Sequence, residues 1–236
     1  MPAVLHDVSR TLELALPRPR AGEIVALLGP SEVRKTALRA LANLKADEEA
    51  IPTPEIGLLC ARPRFFPWLD LKENLAFALP KATPFEREGL IANVLVRLGL
   101  AGQATQPPAE LSPEGLQRLA IARLLLARPR LLLIDEPFAA VDAEARARLA
   151  TFLPELCARA RPAVVVATGS VEEALHLADR IHVLPSQAGP VAFSLDNLLA
   201  RPREEGSVGF VTLRRELRRA LDKESRQAVA EVEAAA

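Results

Sequence analysis

Four short apolar runs along the chain predict buried strands. Continuous apolar runs of about five residues are typical of strands covered on both faces of a sheet. Residues that break regular structure mark the limits of two of these runs. Gly29-Pro30 follow the first run, and Pro129 precedes the second. The runs are 24–28 (IVALL), 131–135 (LLLID), 163–168 (AVVVAT) and 180–184 (RIHVL).

Helical periodicity fills much of the sequence between these runs. The predicted helices cover 36–46, 114–127, 143–160 and 171–178. Strands that alternate with helices indicate a parallel sheet with helices on both of its faces. The predicted fold class is therefore α/β.

Two regions depart from this alternation. Residues 72–127 show helical patterns and no strong strand signal, so we predict a helical insertion into the α/β core. From about residue 185 the composition changes to polar, Pro-containing stretches, followed by a charged helix from Val211. We interpret this end as a tail outside the sheet. The predicted organisation is one domain of residues 1–236, with an α/β core (1–66 and 129–190), a helical subdomain (67–128) and a tail (191–236).

Composition limits the partners and the cellular compartment that we expect for the protein. The 236 residues contain 30 basic and 30 acidic side chains, so overall charge gives no reason to expect nucleic acid as a partner. With two distant cysteines, Cys60 and Cys157, and no signal peptide, a reduced cytosolic setting is expected. No apolar run approaches the ~18 residues of a membrane span. Work at a membrane would thus require a partner.

The first candidate site follows the strand at 24–28. Gly29 opens a short polar stretch that ends in Lys35-Thr36, the spacing of the phosphate-loop pattern G-x-x-x-x-G-K-[ST]. Such a loop directs backbone N–H groups and a helix N-terminus at phosphate. Here Arg34 replaces the glycine before the lysine. Taken alone, the pattern fits an ordinary strand–turn–helix equally well.

A second candidate site lies about a hundred residues further on. The apolar run at 131–135 ends in Asp135, and Glu136 follows. In phosphoryl-transfer sites one such carboxylate holds magnesium and a second orients the attacking water. An acidic strand end is common by itself, but both motifs in this order favour a nucleotide site.

The region around the second site resembles a known family. Residues 111–142 read LSPEGLQRLAIARLLLARPRLLLIDEPFAAVD and resemble the nucleotide-binding subunit of an ABC transporter, with its signature, Walker B strand and D-loop. The resemblance continues in VVVATGSVEEALHLADRIHVL and, upstream, in FFPWLDLKENLAFAL. The end of the chain is similar to importer ATPases of the nitrate, sulfonate and taurine group. The implied fold is a P-loop NTPase (RecA-like) parallel-sheet core with an ABC helical subdomain.

The resemblance also implies ligands and roles. ATP and Mg²⁺ are the expected cofactors. Glu136 is the expected general base, and Thr36 and Asp135 are the expected magnesium ligands. The expected nucleotide-binding positions are Gly29, Pro30, Ser31, Glu32, Val33, Arg34, Lys35, Thr36, Ala37, Ser112 and Asp142.

Partners follow from the same resemblance. They are a membrane permease subunit, a second ABC ATPase subunit in a homodimer or heterodimer and, indirectly, a periplasmic solute-binding protein. The subunit would lie in the cytoplasm, peripheral on the inner face of the membrane. The permease contact is expected at Phe65, Phe66, Pro67 and Trp68. Core packing of the helical insertion is the alternative, although interface anchors are often aromatic.

Several positions depart from the family pattern. Ala61 stands where the Q-loop glutamine is expected, Pro113 and Glu114 replace the signature glycines, and Gly169 replaces the switch histidine. No aromatic residue matches the adenine stacker. Glu32 and Glu114 would place negative charge close to polyphosphate. Two roles are open to Arg34, which can pair with Glu32 or donate to phosphate.

These departures leave two hypotheses in competition. The first is an ATPase subunit that dimerises head-to-tail and drives a permease, with weak Mg-ATP binding and slow turnover. The second is a catalytically impaired subunit with a structural or regulatory role. Similarly, LSPEG is either a nucleotide signature or a simple helix start, with Ser112 as N-cap and Pro113 in the first turn. A soluble ABC ATPase of DNA repair or translation is disfavoured by the importer-like tail.

Overall fold

A computed structural model describes residues 19–43, 55–186 and 190–234. The predicted core segment 1–18 and the predicted helical residues 44–46 lie outside these ranges. The described strands are β1 (Ile24–Leu28), β2 (Ile56–Cys60), β3 (Leu131–Asp135), β4 (Ala163–Ala167), β5 (Arg180–Val183) and β6 (Phe193–Asp196).

The described helices cover both the α/β core and the insertion. They are α1 (Ser31–Asn43), α2 (Leu71–Ala76), α3 (Pro84–Leu98), α4 (Pro113–Leu126), α5 (Ala143–Ala160), α6 (Val171–Leu177) and α7 (Val208–Ala234), with 3₁₀ turns at Ala101–Gln103 and Pro108–Glu110. Among the described residues, none of these helices is long and apolar enough to cross a membrane.

The strands form one sheet in the order β2-β3-β4-β1-β5-β6. The first five strands of that order run parallel, and β6 is antiparallel to β5. The α/β class and the parallel sheet are therefore confirmed. Because β1 lies between β4 and β5, its carboxyl end is at the centre of the edge where parallel strands terminate. That edge is where ligands bind in open α/β sheets.

Apolar side chains cover both faces of the sheet. Ile24, Ala26 and Leu28 belong to one core cluster, while Val25 and Leu27 belong to the cluster on the opposite face. This alternation follows from the two-residue period of a strand. It explains why β1 is apolar at every position.

The segment 193–196 corrects the prediction for the end of the chain. Residues from about 185 onward were expected outside the sheet, yet β6 pairs with β5 in the register Ile181–Leu195. The His182 ring and the Ser194 hydroxyl form a hydrogen bond of 2.7 Å between the same strands. Only alternate residues of β6 are covered, so FSLD lacks the continuous apolar run that identified the other strands.

The helical insertion is confirmed for residues 72–127. The described residues there form helices, 3₁₀ turns and loops without a strand. Capping boxes begin two of the helices, with Asp70 and Glu73 at α2 and Thr83 and Glu86 at α3. A separate apolar cluster, which includes Leu75, Leu95 and Leu119, holds this layer together.

Candidate nucleotide-binding site

The turn after β1 requires glycine. Gly29 has φ of +140°, a backbone conformation that L side chains rarely adopt. A Cβ at this position would lie 3.1 Å from the Leu184 carbonyl oxygen and 3.2 Å from the Leu184 Cβ. The turn therefore depends on Gly29 both for its backbone conformation and for its close approach to Leu184, the residue after β5.

The segment after this turn is helical, which corrects the predicted loop. Helix α1 begins at Ser31 instead of Thr36, and the Arg34 N–H donates to the Pro30 carbonyl at 3.0 Å. Glu32, Val33 and Arg34 have higher helix propensity than the glycines expected there. The acidic Glu32 is also favourable in the first turn of a helix.

The start of α1 carries groups that could hold a phosphate. The N–H groups of residues 31–33 lie ahead of the first helical hydrogen bond, and such groups bind anions at helix N-termini. Lys35 Nζ lies 3.1 Å from Glu32 Oε1, and both side chains are exposed. The Thr36 hydroxyl donates to the Glu32 carbonyl at 2.8 Å. Its oxygen retains lone pairs for a cation.

Arg34 points away from Glu32 and into the carboxyl edge of the sheet. The residue is only 5% exposed. Its Nη1 donates to the Gly29 carbonyl, and its Nη2 forms an ion pair with Glu136. The pairing of Arg34 with Glu32, one of the two roles considered above, is therefore wrong.

Glu136 lies at the end of β3 in a constrained backbone. Its φ is 49°, and its N–H donates to the Ala167 carbonyl of β4 at 2.9 Å. Its carboxylate accepts a hydrogen bond of 3.2 Å from the Gly169 N–H as well as the Arg34 contact. The preceding Asp135 pairs in register with Ala167. The ends of β1, β3 and β4 thus meet around one guanidinium group.

Position 169 is shaped by this arrangement. A Cβ added at Gly169 would lie 3.4 Å from Arg34 Nη1 and 3.6 Å from Glu136 Oε1. Both distances are ordinary van der Waals contacts, so a Cβ would fit, and only a longer side chain that extends towards Arg34 would need the space of the guanidinium. Gly169 and Arg34 therefore fit each other sterically.

Ser112 and Asp142 both cap helices. The Ser112 hydroxyl accepts from the Gly115 N–H at 3.1 Å at the start of α4. The Asp142 carboxylate accepts from the Ala145 N–H at 2.8 Å at the start of α5. The helix-start interpretation of Ser112 is confirmed. A contact of either residue with nucleotide stays a prediction.

Glu114 is held by two arginines. Its carboxylate lies 2.6 Å from Arg118 Nη2 and 2.7 Å from Arg148 Nη2. Hydrogen bonds from Arg148 hold the pKa of Glu114 below its usual value, against the opposing effect of burial. The predicted negative charge at this signature position is therefore compensated within the chain.

The aromatic segment divides between core and surface. Phe65 is partly buried against the core, with the Arg123 guanidinium 4.6 Å from its ring centroid. Trp68 is 76% exposed, and its ring centroid lies 5.6 Å from that of Phe66. The exposed Phe77 lies on the Phe66 ring as well, at a centroid distance of 4.7 Å. Core packing thus describes Phe65. Phe66, Pro67 and Trp68 are exposed on the surface.

Two buried polar residues near the edge had not been predicted. Gln117 donates to the Ala61 carbonyl at 2.7 Å and so links α4 to the segment after β2. Glu173 accepts from the Thr168 hydroxyl at 2.7 Å. Burial, with a smaller contribution from the nearby Glu136, raises the pKa of Glu173 to about 7. In sequence, both look like ordinary polar helix positions.

The described residues contain no group of three or more His, Cys, Asp and Glu side chains that could hold a metal ion by themselves. Magnesium bound with a nucleotide needs fewer protein ligands, since it keeps waters and phosphate oxygens. Asp135 and Thr36 provide oxygen donors suited to it. The donor set is compatible with Mg²⁺ only as part of a nucleotide complex.

A parallel sheet with a glycine turn, a helix N-terminus and two adjacent carboxylates at its carboxyl edge defines a nucleotide-binding protein of the P-loop class. The profile of the ABC transporter family matches residues 16–139. The chain belongs to the ABC transporter family of ATP-binding proteins.

Relatives agree with this family. An aliphatic sulfonates import ATP-binding protein, SsuB 2 of Burkholderia lata, is 40% identical over 208 residues, which is 83% of this chain and 75% of that protein. SsuB 2 of Nocardia farcinica is 41% identical over 222 residues, covering 92% and 89%. SsuB 2 of Pseudomonas syringae pv. tomato is 37% identical over 206 residues, covering 85% and 84%.

Proposed function

We propose that the chain is the ATP-binding subunit of an ABC importer, in which ATP binding and hydrolysis drive a solute through a membrane permease. The observation that carries this proposal is the meeting of the β1–α1 turn with Asp135 and Glu136 at one edge of the sheet. The names of the relatives, which are import ATP-binding proteins, support it. They give no support to the catalytically impaired alternative.

Named residues take separate roles in this proposal. The N–H groups of residues 31–33 and Lys35 would hold polyphosphate. Thr36 and Asp135 would hold Mg²⁺, which neutralises phosphate charge when bound. Glu136 would accept the proton of the attacking water.

The assembly is part of the proposal. Each nucleotide would lie between one subunit's β1–α1 turn and the partner ATPase subunit's Ser112 and Asp142 region. The exposed Phe66, Pro67 and Trp68 would contact the permease at the cytoplasmic face of the membrane. A periplasmic binding protein would deliver the solute to that permease.

The solute class rests on the relatives' names. Those names specify aliphatic sulfonates, and we extend that class to this transporter. Disruption of the gene should abolish growth on an alkanesulfonate as sole sulfur source while growth on sulfate continues. Unchanged growth on alkanesulfonates in a strain without another sulfonate importer would contradict this solute class.

Calorimetric titration with Mg-ATP tests nucleotide binding directly. If a site with intact motifs binds at about 1 μM, loss of the glycines and of the adenine stacker, each worth about 1–2 kcal/mol, predicts a Kd of about 0.03–1 mM. Lys35→Ala should abolish measurable binding, whereas Arg39→Ala, on an exposed position of α1, should not. Glu32→Gly should tighten binding by removing a carboxylate from the helix start.

The same titration can contradict the proposal. Binding that is equal in the unaltered protein and in Lys35→Ala would place nucleotide elsewhere. Absence of binding, in the unaltered protein and in Glu32→Gly alike, would favour the catalytically impaired alternative.

A further inference from the structure

We propose that Arg34 recognises the terminal phosphate of the bound triphosphate, in place of a side chain at position 169. This role deepens the proposed function and rests on it. It makes Arg34 the residue that distinguishes a nucleoside triphosphate from a diphosphate in this chain.

The placement of Arg34 is the first argument. Its side chain leaves the first turn of α1 and enters the carboxyl edge, where it reaches Gly29 and Glu136. A guanidinium group carries five N–H donors, and these two contacts leave others available. Its Nε is buried and has no hydrogen-bond partner among the described residues. Arg34 therefore brings positive charge and unused donors to the place where the two site motifs meet.

The steric relation with Gly169 is the second argument. A Cβ at Gly169 would lie 3.4 Å from Arg34 Nη1, in ordinary contact, so a longer side chain extending from 169 towards Arg34 would meet the guanidinium. Residue 169 is glycine and offers no side-chain donor. Beside it, Arg34 provides a donor that comes from α1.

The carboxylate of Glu136 gives the third argument. Its side chain is 31% exposed, so water and ligands reach it, while the Arg34 side chain is covered. Guanidinium groups bind phosphate oxygens in the same forked geometry as carboxylates. Arg34 can therefore exchange Glu136 for a terminal phosphate, which leaves the Glu136 carboxylate free for water. With a diphosphate, Arg34 keeps Glu136 as its partner.

The test compares ATP with ADP, both with Mg²⁺, in calorimetric titrations. The variants are Arg34→Met, which keeps the length without the charge, Arg34→Lys, which keeps the charge without the fork, and the control Arg39→Ala. In Arg34→Met the affinity for ATP should fall about tenfold or more, since hydrogen bonds to charged groups are the strong ones. ADP affinity should change less than about twofold in the same variant. Arg34→Lys should give an intermediate loss for ATP.

A double variant adds a rescue. Gly169→His alone crowds the guanidinium and should not tighten ATP binding, whereas Arg34→Met combined with Gly169→His should recover part of the lost ATP affinity. Circular dichroism and urea unfolding check that each variant is folded. Arg34→Lys keeps a cation beside Glu136, so the comparison stands even if Arg34→Met fails to fold.

Different failures separate the two proposals. If the Arg34 variants bind ATP and ADP in the same ratio as the unaltered protein, this role for Arg34 is wrong and ATP binding stands. If Arg34→Met binds ATP more tightly, Arg34 blocks the site, and the role is again wrong. If neither the unaltered protein nor Glu32→Gly binds either nucleotide, the proposed function fails and this role fails with it.

Discussion

Arg34 and Glu136 form an ion pair that joins the first turn of α1 to the end of β3 across 102 positions of sequence. The two partners are unequally covered, because Arg34 is buried and Glu136 is reached by solvent. Removing the carboxylate's charge would leave a covered cation unpaired. Removing the guanidinium would leave a carboxylate that water can solvate.

This asymmetry predicts unequal losses of stability. Glu136→Gln should lower the free energy of unfolding by about 1–3 kcal/mol, since an unpaired covered charge is costly. Arg34→Met should cost less. Urea unfolding measures both, with Glu144→Gln as a control because that side chain is 85% exposed. Equal losses for the two variants would contradict the asymmetry.

Alanine substitutions at Gly29 and Gly89 compare a glycine that the backbone requires with one that it does not. Gly29→Ala should destabilise the protein by about 2–3 kcal/mol, because φ of +140° and the approach to Leu184 both exclude a Cβ. Gly89 lies within α3 with nothing near its Cβ position. Gly89→Ala should therefore stabilise by up to about 1 kcal/mol. Thermal unfolding of the two variants should shift in opposite directions, and a stabilised Gly29→Ala would refute this account of the turn.

Glu173 predicts a pH dependence of stability. Burial raises its pKa from 4.5 to about 7, so between these values the folded protein holds a proton that the unfolded chain has released. The stability that the protonated Glu173 contributes is fully present below pH 4.5 and is lost as the pH rises through 7. Glu173→Gln keeps the acceptor for Thr168 and removes the titration. Relative to the unaltered protein, the stability of Glu173→Gln should rise by about 2.5 kcal/mol between pH 5 and pH 8.

Urea unfolding at the two pH values measures this difference. Glu172→Gln removes a carboxylate from the same helix and serves as the control. If both variants change the pH dependence equally, the cause is net charge instead of the burial of Glu173.

Alanine variants of Trp68 and Phe65 distinguish a contact with the permease from packing in the core. Trp68→Ala should leave the unfolding free energy of the isolated chain within about 0.5 kcal/mol, as is usual for exposed positions. It should also weaken co-purification with the permease. Phe65→Ala should cost about 1–3 kcal/mol, because Phe65 is partly buried against the core and Arg123. If Trp68→Ala unfolds the isolated chain, the docking role is wrong.

Sequence patterns predicted the strands whose residues are all covered. β1, β3, β4 and β5 read as apolar runs because both faces of the sheet are packed. β2 and β6 were not predicted from such runs. In each of them alternate residues are exposed, and each lies at an outer edge of the sheet. An edge strand with one covered face needs fewer apolar residues, which accounts for FSLD in β6. It does not account for β2, which reads IGLLC and is largely apolar although Leu58 and Cys60 are exposed.

The site was only partly predictable for a different reason. Local spacing identified Gly29, Lys35 and Asp135, since each belongs to a pattern of neighbouring residues. The direction of the Arg34 side chain depends on Glu136 and Gly169, which are more than a hundred positions away. The start of α1 at Ser31 was readable from local sequence, because better helix formers replace the glycines expected at the turn. The phosphate-loop pattern had instead favoured a loop up to Lys35.

The strand order has a consequence for synthesis on the ribosome. β1 is the first strand that the structure describes, yet its hydrogen-bonded neighbours are β4 and β5, which end at Ala167 and Val183. At bacterial translation rates, the apolar segment IVALL stays without its neighbours for on the order of 10 s. Nascent chains that stop before β4 expose this segment and should bind chaperones. Release of the chaperone should follow only after residue 183 has left the exit tunnel.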